Sequence, residues 1–331
     1  MIWNGVELYN VSDLTEKDGR LTMHRFPLWA EAQFGEKGQA MNHCNSGVEI
    51  RFNMVSDEVT VGIGKETGFS NMYVYYGSIP AGNSLGTHFI TETHSGVTIR
   101  RPENMEILER VTKQYHLPFD PHLIRIVSAS CTHYLTKIEG ETLPPAAGQT
   151  PDKRLLCYGS SITHGSHALV PQDSYVRRTA DALGMDVINL GLAGSAHLEP
   201  SAAEHIAERG DWDIAFLELG INLLKKITDA EFEARVATFL DILEGAGRPI
   251  YVTDLFYTKA DFLKEPEPEA MRAAVKRQVL ARGGNFHYIK GTELLTGADG
   301  LSSDLVHPNN QGMQQISENL LKHLSDVQRI I

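Results

Sequence analysis

The stretch Leu155-Leu156-Cys157-Tyr158-Gly159-Ser160-Ser161-Ile162-Thr163-His164-Gly165 decides how this chain is read. Its first half is an unbroken apolar run of strand length, the pattern of a strand buried on both faces in a parallel sheet. The run stops at a glycine and passes straight into two serines, where a helix is set to begin. A hydroxyl at that point stands clear of the sheet, and nearby backbone N–H groups are free to meet an anion. Ser161 is therefore the candidate nucleophile, in a geometry suited to acyl transfer. A serine-rich cap on an ordinary helix would give the same local pattern.

The far end of the chain weighs against the ordinary cap. Asp304-Leu305-Val306-His307-Pro308-Asn309-Asn310-Gln311-Gly312 precedes an amphipathic pattern (Met313, Ile316, Leu320, Leu321, Leu324) that reads as a final helix. Three positions apart in a turn, the Asp304 carboxylate can reach one imidazole nitrogen of His307 while the other faces a serine. Pro308 stiffens the loop. Between these ends, Asn189-Leu190-Gly191-Leu192-Ala193-Gly194 closes a second strand on a glycine whose N–H a substrate can approach. Leu217-Glu218-Leu219-Gly220-Ile221-Asn222 closes a third on an amide whose NH2 is a neutral donor suited to an oxyanion.

In this order the four blocks resemble the SGNH (GDSL-type) hydrolase family: Gly159-Ser160-Ser161-Ile162-Thr163, Gly194, Gly220-Ile221-Asn222, and Asp304-Leu305-Val306-His307-Pro308. The resemblance covers roughly residues 153–325. It implies a catalytic triad of Ser161, His307 and Asp304, with an oxyanion hole from the Ser161 N–H, the Gly194 N–H and the Asn222 side chain. Two positions depart from the family pattern, Ser160 and Leu223, each where an Asp is usual. Neither removes a member of the triad or the hole.

From residue 153 onward, strands at 154–158, 186–190, 213–219, 249–255 and 286–289 alternate with helices at 172–184, 199–208, 228–245, 267–282 and 310–325. Alternation of this kind implies a parallel sheet with its ligand at the strands' carboxyl ends, where the motif residues fall. Upstream, the β-rich runs Val48–Met54, Glu58–Ile63, Met72–Tyr76, Gly96–Arg100 and Ile124–Ser128 are separated by Gly, Asn, Asp and Ser. The proline-rich segment 143–152 separates the two halves. The expected fold is an α/β, flavodoxin-like SGNH hydrolase domain at 151–331, preceded by an antiparallel, jelly-roll-like β-sandwich accessory domain at 1–150. The opening Gly5-Val6-Glu7-Leu8-Tyr9 resembles the Gly-x-Asp-Leu-Tyr segment of a module that precedes some SGNH hydrolases, with Glu7 in place of Asp.

Composition narrows the function. A net charge of −12 and the absence of any Lys/Arg-rich run speak against nucleic acid as a partner. No apolar run approaches membrane-spanning length, and three widely spaced cysteines (Cys44, Cys131, Cys157) read as reduced thiols. The expected location is the cytoplasm, or outside the cell if a signal peptide was removed. Gly62-Ile63-Gly64-Lys65-Glu66-Thr67 lacks the spacing of a phosphate loop. Of the 14 histidines, His24, His43, His88, His94, His116, His122 and His133 are scattered without ligand spacing. No cofactor and no metal are expected. His164 and His197, just after the first two blocks, are candidates for lining the pocket. Glu218 could pair with another carboxylate as in a glycosidase.

The expected function is a serine esterase acting on short acyl, above all acetyl, esters of a carbohydrate or similar small molecule, a part of the reading that rests on family analogy. Phe256 and Tyr257 are candidates for stacking on a sugar ring. The alternatives are a non-catalytic carbohydrate-binding or assembly protein on the same fold, and a lipase or thioesterase. A homo-oligomer is compatible with the sequence, which names neither the acyl acceptor nor the role of the first domain.

Overall fold

The computed structural model describes residues 1–65, 69–82, 87–91 and 96–324. Glu66 and Thr67 of the glycine-rich segment, His94, and residue 325 of the expected last helix lie outside the described residues. The chain forms two compact units. One comprises residues 1–27, 42–152 and 184–186; the other comprises 28–41, 153–183 and 187–331. A single boundary at 150/151 does not capture the segment 28–41, which packs with the second unit.

The first unit is a pair of antiparallel sheets. One runs in the order Ile2–Trp3, Val6–Tyr9, Glu49–Met54, Leu123–Ser128, Phe69–Tyr76, Ile79–Pro80, with Thr142–Leu143 and Thr87–Thr91 pairing alongside. The other runs Val97–Arg100, Glu58–Gly64, Tyr134–Glu139, Arg20–His24, Asp13–Lys17. Alternate residues of both meet in one core: Leu8, Ile50, Phe52, Val74 and Ile126 from the first, Val59, Val61, Ile63, Ile99 and Leu135 from the second. Full burial of each such side chain contributes roughly 1.5–3 kcal/mol. The glycine-rich segment is thus the end of a core strand. The opposite face of the first sheet carries buried charge. Arg51 and Arg125 stand directly across from each other, a repulsive pairing that Glu49, bonded to both, and Asp186, bonded to Arg51, neutralise. The helix Met105–Tyr115 interrupts the β pattern of this unit. None of its residues is fully buried, but Met105, Leu108 and Val111, three apart, share a half-buried side.

The second unit holds a five-stranded sheet in the order Asp186–Gly191, Arg154–Gly159, Ile214–Glu218, Ile250–Thr253, Phe286–Ile289. The last three pairings are parallel, and the strands are buried almost throughout. Arg154–Gly159 crosses to one side of the sheet and the later connections run to the other, so right-handed crossovers put helices on both faces. Tyr175–Ala182 accordingly packs with Asn310–Leu324, while Pro200–Glu208, Asp229–Leu243 and Glu267–Arg282 pack in succession. This order places the switch point between Arg154–Gly159 and Ile214–Glu218, where the carboxyl ends of an open sheet leave a crevice. Among the described residues no helix is long and apolar enough to cross a membrane.

Candidate active site

Beyond Gly159 the chain makes one helical turn, Ser161–His164. Ser160 caps it by accepting a hydrogen bond from the Ile162 N–H at 3.1 Å. Ser161 is the first residue of that turn, whose amide has no partner within the helix. Its hydroxyl lies 2.7 Å from His307 Nε2, and His307 Nδ1 lies 2.6 Å from Asp304 Oδ2. Asp304 Oδ1 also accepts from the amides of Val306 and His307, each at 3.0 Å. Burial pushes the Asp304 carboxyl up, but the bonds from the His307 ring and these two amides outweigh it and hold the group at about 2. Asp304 is therefore an anion across the working range, fixed in a turn that Leu305 closes with a φ of 56°.

The other two motif residues border the same space. A cleft of about 820 Å³ is lined by Ser161, His307, Gly194 and Asn222 together with Lys37 and His167 among others. Asn222 Oδ1 accepts from the Ala196 N–H at 3.0 Å, which orients the amide and leaves its NH2 as a donor on the cleft wall. Gly194 has a φ of 69°, a left-handed conformation that brings backbone rather than side chain to the cleft.

Beneath the Ser161 turn lies a carboxyl that comes from the neighbouring strand. Glu218 Oε2 accepts from the Ser160 N–H at 2.7 Å, the Ser160 hydroxyl at 2.8 Å and the Thr163 hydroxyl at 3.0 Å. The Tyr175 and Thr163 hydroxyls bond each other at 2.7 Å. A Cβ on Gly159 would come within 2.6 Å of that same oxygen, so only glycine lets the carboxyl sit there. Thus where the family pattern has Asp, Ser160 instead ties the turn to Glu218. The glycosidase alternative fails on this geometry, because the side chain is buried and answers hydroxyls and an amide rather than a second carboxylate.

Burial pushes the Glu218 carboxyl up to about 7, the hydrogen bonds from Ser160 and Thr163 offsetting part of the effect. A raised carboxyl keeps its proton in the fold after the unfolded chain has lost it, so Glu218 withdraws stability as pH rises from the ordinary carboxylate range through about 7. Glu218→Gln, which cannot ionise, should therefore gain on the wild type between pH 5 and pH 8 by on the order of 2 kcal/mol in urea unfolding. A difference independent of pH would show that Glu218 does not titrate in that window.

The expected pocket histidines sit elsewhere. His164 is buried, its Nδ1 3.0 Å from the Gly191 carbonyl, and does not line the cleft. Its place near the nucleophile in sequence comes from the one-turn helix, which directs it inward. His197 lines a separate depression of about 280 Å³ with Glu199 and Arg235. Phe256 is packed in the core and Tyr257 stacks on Phe262, and neither lines the cleft. Leu223, the other departure, is buried and serves packing.

Two cleft residues carried no sequence signal. His167, three positions beyond His164 and at a φ of 69°, stacks on His307 with ring centroids 4.5 Å apart, and its Nδ1 lies 2.9 Å from the Ser302 hydroxyl. Lys37 comes from the short helix Glu36–Asn42, more than a hundred residues before the first of the four blocks. Ligand atoms of His167, Asp304 and His307 fall within 4.8 Å of one another and could in principle hold a cation. Here they are engaged with Ser302, with each other and with Ser161, so a metal would have to displace those bonds.

Residues 157–315 match the GDSL-like Lipase/Acylhydrolase family. No curated protein matches the chain. Among solved structures it is similar to the salicylyl-acyltransferase SsfX3 from a tetracycline biosynthetic pathway, at 18% identity and a TM-score of 0.77, over 98% of this chain and 95% of that one. It is also similar to a family two carbohydrate esterase from Cellvibrio japonicus, at 13% identity and a TM-score of 0.65, over 98% and 96% of the two chains. A family two carbohydrate esterase with a carbohydrate binding domain, from Corynascus thermopiles, aligns at 16% identity and a TM-score of 0.62, over 85% and 94%. Identities this low establish a likeness of fold.

Proposed function

We propose that the α/β unit, residues 157–315 of which match the GDSL-like lipase/acylhydrolase family, is an ester hydrolase in which Ser161, His307 and Asp304 cleave short acyl esters, above all acetyl, of a carbohydrate or similar polar alcohol. The observation that carries this reading is the unbroken line of hydrogen bonds from Ser161 through His307 to Asp304 at the edge of an open cleft. His307 takes the hydroxyl proton as Ser161 attacks the ester carbonyl. The oxyanion then forms near the Ser161 and Gly194 amides and the Asn222 NH2. Collapse breaks the bond to the alcohol, which leaves with the proton from His307. Water, deprotonated by the same imidazole, releases the acid from the acyl-enzyme. Asp304 holds the tautomer that presents Nε2 to the serine.

Asn222→Ala should lower kcat about 10²- to 10³-fold with KM little changed, since a hole donor acts mainly in the transition state. A raised KM at constant kcat would move Asn222 from the hole to substrate binding. The cleft wall carries Met41, Ile221, Leu224, Leu263 and Val306 beside its polar groups, so the choice of a short acyl chain rests on the family reading and not on the wall. Support for a sugar comes from the likeness to proteins named as carbohydrate esterases. Activity across aryl esters of increasing acyl length, then on acetylated xylose and glucose, tests both parts. A steady increase toward octanoate with no action on any acetylated sugar would replace this reading with a lipase or thioesterase.

A further inference from the structure

We propose that the ester turned over in this cleft carries a carboxylate, and that Lys37 recognises it; the inference rests on the esterase reading and narrows its substrate. The chain as a whole is acidic, with 42 Asp and Glu against 30 Lys and Arg. The cleft reverses that balance. Its lining includes Lys37, Lys225 and Lys259 but only one carboxylate, Glu265. Glu265 is taken by Lys225 at 2.5 Å, so that among the described residues Lys37 and Lys259 have no carboxylate partner. In a protein this rich in carboxylates, a positive wall on an acidic body focuses field on the cleft and draws anions toward it.

Lys37 is also placed beside the chemistry. A Cβ on Gly194 would come within 2.1 Å of the Lys37 ammonium and 2.8 Å of its Cε, so the side chain fills the space that glycine leaves open. The field of this lysine reaches further: burial first, then Lys226, Arg235 and Lys37, hold the His197 imidazole below its usual range. The class of anion follows from the donors. No arginine fork lines the cleft among the described residues, and separate ammonium point charges suit a singly charged carboxylate better than a phosphate that calls for several convergent donors. A neutral acetyl ester would offer Lys37 only uncharged acceptors.

Two matched pairs of esters test the assignment. 4-Acetoxy-3-nitrobenzoate against its methyl ester puts the charge on the leaving alcohol. 4-Nitrophenyl hydrogen succinate against 4-nitrophenyl butyrate puts it on the acyl group. In one of the pairs kcat/KM should favour the anionic member about fivefold, with a preference that shrinks as NaCl screens the charges. Lys37→Met should bring the ratio to about one, and Lys37→Glu should invert it. A ratio of one in both pairs overturns the assignment. So does a Lys37→Met enzyme that loses the same factor on both members, because the ammonium would then act on the oxyanion common to all esters. Binding of the same pairs to Ser161→Ala protein separates this inference from the reading beneath it. Preferential binding of the anionic ester without turnover in the wild type would strike the esterase reading alone, whereas equal binding within both pairs would overturn the role of Lys37.

Discussion

Ser161→Ala protein should show no ester turnover above background while unfolding at the same urea midpoint as the wild type. The change removes the atom that attacks and leaves the turn intact, because the cap is made by Ser160 and the turn is anchored to Glu218. Loss of a serine nucleophile costs on the order of 10⁶ in kcat in enzymes that depend on one. Ser160→Ala is the control. It deletes one hydroxyl bond to Glu218 and the cap on Ile162, but the Ser160 amide still reaches Glu218. Activity should survive, with stability lowered by about 1 kcal/mol, the usual cost of an N-cap serine. An active Ser161→Ala enzyme beside an inactive Ser160→Ala enzyme would exchange the two roles.

His307→Gln should remove nearly as much activity as loss of the serine, and Asp304→Asn about 10⁴-fold. Glutamine can approach Ser161 but cannot take up its proton at neutral pH. Asparagine keeps the shape of the turn, but its NH2 donates to Nδ1 and favours the tautomer with the proton on Nε2, which then cannot accept from the serine. Measured on one short aryl ester, the effects of Ser161→Ala and His307→Gln should fail to add in the double variant, since either change alone stops the same proton transfer. Additive losses would show two independent roles and dissolve the proposed relay. An Asp304→Asn enzyme within a few fold of wild type would leave a serine–histidine pair acting alone.

Which of these residues the sequence makes visible depends on where their partners lie along the chain. The strands of the second unit were legible because most are short runs buried on both faces, Phe286–Ile289 with its exposed His287 being the exception, and the helices between them because burial of one face imposes a period. Ser161, Gly194 and Asn222 stood at strand ends, and Asp304 and His307 came three positions apart before a helix. Their chemistry is written in local order and spacing. The helix Met105–Tyr115 also carries such a period, with Met105, Leu108 and Val111 three apart, but the β-rich runs on either side masked it.

The sequence by itself determined the architecture and the hydrogen-bonded line Ser161–His307–Asp304, since strand, turn and helix signals are short-range and the motif positions follow from them. Tertiary structure alone decided what surrounds that line. Glu218 lies 58 positions from Ser160, yet the two meet because adjacent strands of a parallel sheet end side by side. His167 rather than His164 reaches the cleft because one helical turn and a left-handed residue reverse the direction of the side chains. Lys37 enters from a segment that local pattern assigns to the other unit. Contacts of this kind are chosen by packing between distant segments, whose free energy depends on the assembled fold and leaves no period or spacing in the chain to be read beforehand.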